Sequence, residues 1–452
     1  MRIRLDIPIS AHKLPDMLGA EIAQKYNDYK IEYVTTDTRE LKRGDLFIAL
    51  RGERFNGENY LADAKNEGAY TVSTRSENTD FTVKDTSNSL SRFANAYKKL
   101  LNIKSTVAIT GSVGKSTTKE LTLKLLARKF KAHGTYKNLN NEIGVPLTVL
   151  SAKKDTEILI IEAGMNHSGE LKRISECIQP DIAVITNVGT AHIGNLGSRK
   201  KIAEAKEEIL CGMEKPYLLA PADDPYITKY PFLKTVSTTN PSADFYLFSS
   251  DDKDGSVYGF KSKYNRIDGI EIKSDMPHIP KCLSFALSVC SVLNMSNEEI
   301  LSAVNSLDFD NGNQIHKLGT LTLIDDSYNC SPESAISSLN MLLRTKGEKK
   351  SAVFGDMLEL GEFSEQLHFE LGKAAADAGL SKLYLFGIYS EFTKNGALSG
   401  GMSGDKIFVN SNTEAPEKTA KQILENSQNE TVLLKGSRKL KLERILEILK
   451  EY

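Results

Sequence analysis

The sequence predicts an α/β fold of three domains. The chain has 452 residues, and a domain usually holds about 100–200 residues. Short β-branched runs alternate with stretches of helical periodicity along the whole length. The pattern of apolar runs and helical stretches changes twice along the chain, so we place the domains at residues 1–102, 103–313 and 314–452.

The first region predicts a small α/β domain. An apolar run at 45–50 ends at Arg51-Gly52, and helical stretches follow near 62–68 and 90–101. Such mixing of strand and helix signals within about 100 residues favours one sheet with helices against it.

The central region predicts a mostly parallel sheet flanked by helices. The runs 105–110, 157–161 and 181–186 are continuously apolar, which is typical of strands buried on both faces of a parallel sheet. Residues 119–131 between them repeat apolar positions at helical spacing. The stretch 240–273 is richer in Ser, Asp and Lys and predicts hairpins at an edge.

The third region predicts a Rossmann-like, doubly wound sheet. Its strands and helices alternate as β-α-β-α, the order that builds such a sheet. We expect strands at 321–325, 351–354, 382–386 and 431–434, and helices near 334–343, 364–378, 414–426 and 439–452.

Composition excludes several classes of protein. Hydrophobic residues make up 40% and charged residues 26% of the chain, the profile of a globular protein in water. A net charge of −1 gives no reason to expect nucleic-acid binding. No run approaches the roughly 20 apolar residues of a membrane span, and Asp6 and Pro8 interrupt the start where a signal peptide is apolar. We expect a cytoplasmic monomer that acts on small molecules.

The most specific motif is the turn at 110–117, Thr-Gly-Ser-Val-Gly-Lys-Ser-Thr, between a predicted strand and a predicted helix. Its glycines let backbone N–H groups turn toward phosphate oxygens, Lys115 can reach terminal phosphates, and the Ser116 hydroxyl can hold Mg²⁺. Ile109 stands where a complete P-loop motif has its first glycine. The strand–turn–helix context favours a nucleoside triphosphate site over a plain turn. The residues expected at the phosphates are Gly111, Ser112, Val113, Gly114, Lys115, Ser116 and Thr117.

Two further polar groups follow the next two buried strands. Glu162 comes directly after the run 157–161, where open α/β sheets bind ligands, and its carboxylate would suit Mg²⁺. The alternative is a glutamate that caps the next helix. His192 follows the run 181–186 and is either a metal or phosphate contact or an ordinary loop histidine. Because all three groups lie at strand ends, we expect them to converge.

Lys206 and the amide-rich segment 138–146 are ambiguous from the residues alone. Lys206 lies on a helix crowded with charged residues, which is typical of a solvated surface. Asn140 and Asn141 belong either to a substrate-contacting loop or to simple turn chemistry.

Polar groups also follow the predicted strands of the third region. Asp326, Tyr328 and Asn329 come between a strand and a helix, so they either contact the central nucleotide or accompany a helix cap. Lys435 and Arg438 follow a later strand, and their cations suit a phosphate or a carboxylate.

Taken in order, these motifs resemble the Mur ligases, bacterial enzymes that build the peptidoglycan precursor. The resemblance runs from Thr36-Asp37-Thr38-Arg39 to Lys435-Gly-Ser-Arg438, nearly the whole chain. The patterns at 326–334 and 355–361 are similar to those of the members that add D-alanyl-D-alanine. The Asp-Asn-Pro-Arg motif of the members that add lysine or diaminopimelate does not occur in the sequence.

The resemblance implies an ATP-dependent, ADP-forming amide ligase. It would join D-alanyl-D-alanine to UDP-N-acetylmuramoyl-tripeptide through an acyl phosphate, with Mg²⁺ as cofactor. Lys115 and Ser116 would bind the phosphates and Mg²⁺, and Glu162 and His192 would hold a second metal position. Lys206 matches the family lysine that becomes carbamylated and helps bind Mg²⁺, which reverses the surface interpretation.

The resemblance also implies contacts to the three substrates. It assigns the ribose and base to Asp326, Tyr328 and Asn329, the UDP-sugar to Thr36, Asp37, Thr38 and Arg39, and further substrate contacts to Asn140, Asn141, Lys435 and Arg438.

The chain departs from the family pattern in several places, and one of them concerns the adenine contact. Where the family carries asparagines, one of them assigned to adenine, this chain has His278-Ile-Pro-Lys-Cys282. Three alternatives remain open: another Mur-type or folylpolyglutamate-type ligase, a P-loop phosphotransferase, and an inactive nucleotide-binding module. The first would share the ATP chemistry with another acceptor, and the last would follow from the missing asparagines.

Overall fold

Three sheets with flanking helices make up the computed structural model, as the sequence predicts. It describes residues 1–22, 29–52, 55–250, 256–263, 265–274, 276–309, 315–345, 347–410, 415–427 and 429–451. The domain boundaries stay predictions, and the predicted joint near residue 313 lies outside the described residues. No helix in the described ranges is long and apolar enough to cross a membrane.

The first sheet occupies the N-terminal region. Its described strands are β1 (Arg2–Ser10), β2 (Glu21–Ile22), β3 (Lys30–Thr35), β4 (Leu46–Ile48), β5 (Tyr70–Ser73) and β6 (Phe81–Thr82), with helices α1 (Leu14–Leu18), α2 (Leu61–Asn66) and α3 (Thr86–Lys98). They lie in the order β1-β3-β4-β5-β6-β2. Strands β3 to β6 are parallel, so their carboxyl ends share one edge.

The second sheet carries the nucleotide motif. Its described strands are β7 (Ser105–Thr110), β8 (Ala132–Gly134), β9 (Ile158–Glu162), β10 (Ile182–Ile185), β11 (Leu218–Pro221), β12 (Leu233–Ser237), β13 (Phe245–Ser249), β14 (Val257–Ser262) and β15 (Arg266–Glu271). The order is β15-β14-β13-β12-β11-β10-β7-β9-β8. The strands from β8 to β13 run parallel, whereas β13, β14 and β15 are antiparallel. The hairpin prediction for this edge is confirmed.

Helices cover both faces of the second sheet. They are α4 (Lys115–Leu126), α5 (Gly144–Leu150), α6 (Glu170–Ile178), α7 (Ile193–Leu196), α8 (Arg199–Glu207), α9 (Ile279–Val292) and α10 (Asn297–Asn305). Successive residues of β7 face opposite sides: Val107 and Ile109 pack with the helices α4 and α9. Ala108 packs in the cluster that includes residues of α3, α5 and α6. Burial on both faces explains the continuously apolar runs.

The third sheet is doubly wound, as predicted. Its described strands are β16 (Ile315–Leu318), β17 (Leu321–Asp325), β18 (Lys349–Gly355), β19 (Lys382–Phe386), β20 (Ile407–Asn410) and β21 (Glu430–Lys435), in the order β16-β17-β21-β18-β19-β20. The helices are α11 (Pro332–Arg344), α12 (Ser364–Asp377), α13 (Ser390–Ser399), α14 (Ala415–Asn426) and α15 (Glu443–Leu449).

The start of the last helix differs from the prediction. Periodicity predicts a helix from residue 439, but α15 begins at Glu443. Lys441 adopts a left-handed conformation with φ of 51°, which a continuous right-handed helix excludes.

The topology brings the chemical groups together. Strands β10, β7 and β9 are neighbours in the second sheet and parallel, so the segments that follow them meet at one edge. In the third sheet, β17, β21 and β18 are likewise neighbours and parallel. The carboxyl edges of these two sheets hold the candidate site.

Candidate functional site

The loop between β7 and α4 has the backbone of an anion site. At Gly111, with φ of 150°, a Cβ would overlap the Thr186 hydroxyl. Gly114, the N-cap residue just before α4, adopts a left-handed conformation with φ of 83°. The N–H groups of the first helical turn have no partner within the helix, and the helix dipole adds partial positive charge there. Phosphate oxygens would satisfy these donors.

Asn187 braces this loop, a role that sequence reasoning missed. Its Oδ1 accepts hydrogen bonds from the N–H groups of Ser112 and Val113, each at 2.9 Å. A third hydrogen bond joins the same two segments: the Ser112 hydroxyl accepts from the Gly189 N–H at 2.9 Å. The position of Asn187 directly after a buried strand was the only available signal.

Lys115 folds back over the loop toward Glu162. Its Nζ donates to the Gly111 carbonyl at 2.7 Å. Burial lowers the pKa of Lys115, while the charge of Glu162 acts in the opposite direction. Ser116, next along the helix, is exposed. Lys115 therefore lies at the carboxyl edge of the second sheet, near Glu162.

Glu162 ends β9 with one carboxylate oxygen unused. The residue is 2% exposed, and its Oε1 accepts from Asn140 Nδ2 at 2.8 Å. Its Oε2 is buried and has no hydrogen-bond partner among the described residues. A buried carboxylate without a partner is costly, and Mg²⁺ prefers such hard oxygen ligands. This residue therefore fits a magnesium site.

The two neighbouring asparagines have different contacts. Asn140 holds Glu162, whereas the Oδ1 of Asn141 accepts from the backbone of Ile143 at 3.2 Å and Gly144 at 2.8 Å. Asn141 thus shapes the turn that starts α5.

His192 joins the second sheet to the third region. Its Nδ1 lies 2.6 Å from Oε2 of Glu359, which is in the connection between β18 and α12. The hydrogen bond from His192 is the main cause that lowers the pKa of Glu359. The sequence pattern included Glu359 but gave it no role.

Lys206 is buried, and the surface interpretation from the charge pattern is wrong. The side chain is 1% exposed, because it shares the inner face of α8 with Ile202 and Ala203, four and three residues earlier. Burial lowers the pKa of Lys206 well below its ordinary value. The charge of Lys115 lowers it further, and that of Glu333 opposes the shift. A lysine that has lost its proton is a nucleophile.

Glu333, at the start of α11, reaches the same centre from the third region. Its Oε1 accepts from the Thr190 backbone N–H at 2.5 Å. Its Oε2 is buried without a hydrogen-bond partner in the described part of the chain. Thr190 lies two residues before His192, so both contacts hold one short segment of the second sheet.

The third sheet contributes a polar group of its own. Lys435, 4% exposed, donates from Nζ to Asp326 Oδ2 at 2.8 Å. The exposed ring of Tyr328 lies with its centroid 5.6 Å from the Arg438 guanidinium. Asn329 uses its Oδ1 to accept from the Cys330 backbone at 2.9 Å.

The start of α9 lies between these groups and the phosphate loop. The Sγ of Cys282 is 3.8 Å from the Gly114 carbonyl oxygen. Burial lowers the pKa of His278; the charge of Asp326 opposes this shift and the charge of Lys435 adds to it. Residues 278–282, which depart from the family pattern, therefore lie beside the phosphate loop.

The residues predicted for the UDP-sugar lie on the first sheet. Asp37, just after β3, accepts hydrogen bonds from Arg39, whose guanidinium Nη2 is 2.6 Å from Oδ2. The Arg39 side chain is 86% exposed. Thr36 and Thr38 are in the same short connection, at the carboxyl edge of the first sheet.

Comparison with known proteins confirms the resemblance. Residues 109–297 match the Mur ligase middle domain, and residues 313–438 match the Mur ligase, glutamate ligase domain. The UDP-N-acetylmuramoyl-tripeptide–D-alanyl-D-alanine ligase of Bacillus subtilis is 32% identical over 458 residues, 97% of each chain.

Solved structures agree with the sequence relatives. MurF from Acinetobacter baumannii superposes with a TM-score of 0.88 at 26% identity, covering 100% of both chains. MurF from Thermotoga maritima, in complex with ADP, gives 0.78 at 29% identity and covers 92% of this chain and 97% of the other. With these matches the chain belongs to the Mur ligase family.

Proposed function

We propose that this chain joins D-alanyl-D-alanine to UDP-N-acetylmuramoyl-tripeptide and converts ATP to ADP and phosphate. The near full-length match to ligases of that name supports the reaction. The observation on this chain that carries it is the convergence of the phosphate loop, Glu162 and buried Lys206 at one edge of the second sheet.

The chemistry requires activation of the tripeptide carboxylate. A carboxylate and an amine do not condense at neutral pH, so the acid first takes the γ-phosphoryl group of ATP. The resulting acyl phosphate has a good leaving group. The amine of D-alanyl-D-alanine attacks its carbonyl carbon, a tetrahedral intermediate collapses, and phosphate leaves.

The phosphate loop positions ATP for the first step. Backbone N–H groups at the start of α4 face the phosphates, and Lys115 offsets charge on the transferring group. Asn187 keeps the loop in shape through Ser112 and Val113. Gly111, Gly114 and Thr117 complete the proposed ATP contacts. Tyr328, Asn329 and Asp326 lie at the facing edge, where we place the ribose and base.

Four residues would hold Mg²⁺: Ser116, Glu162, His192 and Lys206 as its carbamate. The unused oxygen of Glu162 supports this assignment. When bound, the ion would offset negative charge on the transferring phosphoryl group. The burial of Lys206 supports the carbamate, because a neutral amine adds to CO₂ and the product is an anion that matches a cation.

The remaining proposed contacts belong to the other substrates. Thr36, Asp37, Thr38 and Arg39 would meet the UDP-sugar at the first sheet. Asn140 and Asn141 form the turn beside Glu162, and Lys435 and Arg438 supply cations on the third-sheet side. Substrates from three regions would require the third region to close before reaction, which keeps water from the acyl phosphate.

The decisive experiment measures phosphate release from ATP with UDP-N-acetylmuramoyl-tripeptide, with and without D-alanyl-D-alanine. We expect release to depend on both substrates and mass spectrometry to find the pentapeptide product. Release that ignores the dipeptide but follows another amine would identify a sister ligase. Phosphorylation of the tripeptide substrate as final product would identify a phosphotransferase, and no turnover with any pair would leave a nucleotide-binding module.

A further inference from the structure

The connection that follows β18 contains a carboxylate aimed at a proposed metal ligand. We propose that Glu359 is a positioning residue whose carboxylate fixes the ring of His192 and so completes the metal site only when the third region is docked. The inference rests on the proposed role of His192 and assigns a new role to Glu359.

The contact determines which ring nitrogen is free. Oε2 of Glu359 lies 2.6 Å from Nδ1 of His192, and an ionised carboxylate can only accept a hydrogen bond. Nδ1 therefore carries a proton, and in the neutral ring the lone pair is on Nε2. A histidine that binds a metal usually donates the N–H of its second nitrogen to a carboxylate, a backbone carbonyl or a water, which fixes the ring orientation and the tautomer.

The backbone on both sides of the contact is strained. His192 has φ of 67° and Glu359 has φ of 66°, left-handed conformations that are unfavourable for a residue other than glycine. Such strain persists only where the surroundings determine it, and it concentrates at functional sites. Two strained residues whose side chains contact each other therefore indicate a functional contact.

A second set of contacts fixes the approach of the two segments. The Glu359 carbonyl accepts from Gly194 N–H at 3.1 Å. A Cβ on Gly361 would lie 2.8 Å from the Gly194 Cα. The two backbones can therefore approach this closely only because both residues are glycines. The Glu359 side chain therefore reaches His192 from a fixed backbone position.

These contacts couple docking to the metal site. Glu359 belongs to the third region and His192 to the second sheet, so separation of the regions would remove the partner of Nδ1. The ring would then be free to rotate and to move its proton to Nε2. The metal site is thus complete only in the docked arrangement.

The test reads the ring tautomer of His192 by nitrogen NMR on the full chain without metal or substrates, at about pH 8.5, where an ordinary imidazole is neutral. The seven histidines are resolved by comparison with a His192→Gln variant. We expect Nδ1–H in the native chain and in Glu359→Gln, which keeps an acceptor oxygen. Glu359→Ala should shift the population toward Nε2–H. An unchanged tautomer in Glu359→Ala would overturn the proposal.

A second readout uses Mn²⁺ as probe in the presence of ADP, with free Mn²⁺ measured by electron paramagnetic resonance. Loss of the carboxylate should weaken Mn²⁺ binding by about 10–100-fold and lower kcat more than it changes KM for the UDP-substrate. Glu362→Ala, an exposed glutamate on the same connection, should match the native chain. Unchanged Mn²⁺ affinity in Glu359→Ala would contradict the inference alone. Full activity and Mn²⁺ binding in His192→Ala would instead contradict the proposed metal site.

Discussion

Glu162 and Lys206 both lie at the carboxyl edge of the second sheet. Both residues are almost fully buried, with 2% and 1% of their surface exposed. A buried ionised group costs several kcal/mol unless it is paired or loses its charge. For Lys206, burial acts toward the second route, since it lowers the pKa of the amine. Glu162 keeps one oxygen without a partner, and a bound cation would supply one. Both side chains are thus arranged for a ligand rather than for stability.

Replacing Glu162 by Gln should separate stability from function. The amide oxygen can still accept from Asn140, and the buried charge disappears, so we expect a melting temperature no lower than that of the native chain. Turnover should fall by about 100-fold or more, and the extra thermal stabilisation that Mg²⁺ gives with ADP should vanish. Glu204→Gln, exposed on α8, is the control. Retained turnover in Glu162→Gln would count against the metal assignment.

Lys206 should carry a carbamate in the active protein. With ¹³C-labelled bicarbonate, we expect one carbamate carbon signal in the NMR spectrum of the native chain and none in Lys206→Ala. Turnover of Lys206→Ala should be lower by about 100–1,000-fold, the scale of a lost charge-stabilising group. Lys200→Ala, exposed on the same helix, should keep both the signal and the activity. An active Lys206→Ala variant would exclude the carbamate role.

The sequence predicts which residues lie at strand ends better than it predicts contacts between residues far apart in the chain. The strand-end positions of Glu162 and His192 follow from buried apolar runs, which local periodicity reveals. The partner of His192 lies 167 residues away, and no local pattern pairs it with Glu359. The burial of Lys206 does not follow from the sequence for a different reason: the charged residues around it on α8 outweigh the two apolar residues, Ile202 and Ala203, that share its face.

At the scale of elements, α7 and the connection after β18 meet backbone to backbone. A Cβ on Gly194 would lie 2.6 Å from the Leu360 carbonyl carbon and 2.8 Å from the Glu359 oxygen. Distances this short force backbone to move, since neither neighbour is the end of a flexible side chain. The two segments can stay docked only because no side chain stands between them.

Gly194→Ala should therefore weaken docking of the third region. Overpacking of this kind costs about 1–3 kcal/mol. We expect a lower melting temperature and a higher KM for ATP, with the secondary structure unchanged by circular dichroism. Gly404→Ala is the control, because a Cβ there would meet only Leu398 at 3.8 Å. If Gly194→Ala behaves like the control, the close approach does not limit docking.

Elements with strong local patterns could be predicted, and weak edge strands could not. The predicted strands at 321–325 and 382–386 agree with β17 and β19 in both bounds. The sequence does not indicate β16 and β20, four-residue strands at the two edges of the third sheet, where partial burial leaves no continuous apolar run. Their pairing with a neighbour, rather than their composition, makes them strands.

At the scale of the whole molecule, two glutamates of the third region hold one segment of the second sheet. Glu333 accepts from the Thr190 backbone, and Glu359 pairs with His192. This segment runs from Thr190 to His192, the proposed metal ligand, and Gly189 just before it donates to the Ser112 hydroxyl of the phosphate loop. The arrangement of the regions and the geometry of the site are therefore not independent.

Removal of the Glu333 carboxylate should make docking depend more strongly on ligand. Glu333→Ala loses the bond to Thr190, while the cap of α11 at Ser331 and Ser334 remains. We expect a larger radius of gyration by small-angle X-ray scattering without ligand, and a return toward the native value with ADP and Mg²⁺. Asn340→Ala, exposed on the same helix, should scatter like the native chain. Scattering of Glu333→Ala that matches the native curve without ligand would show that Glu359 and the glycine contact suffice to hold the third region in place.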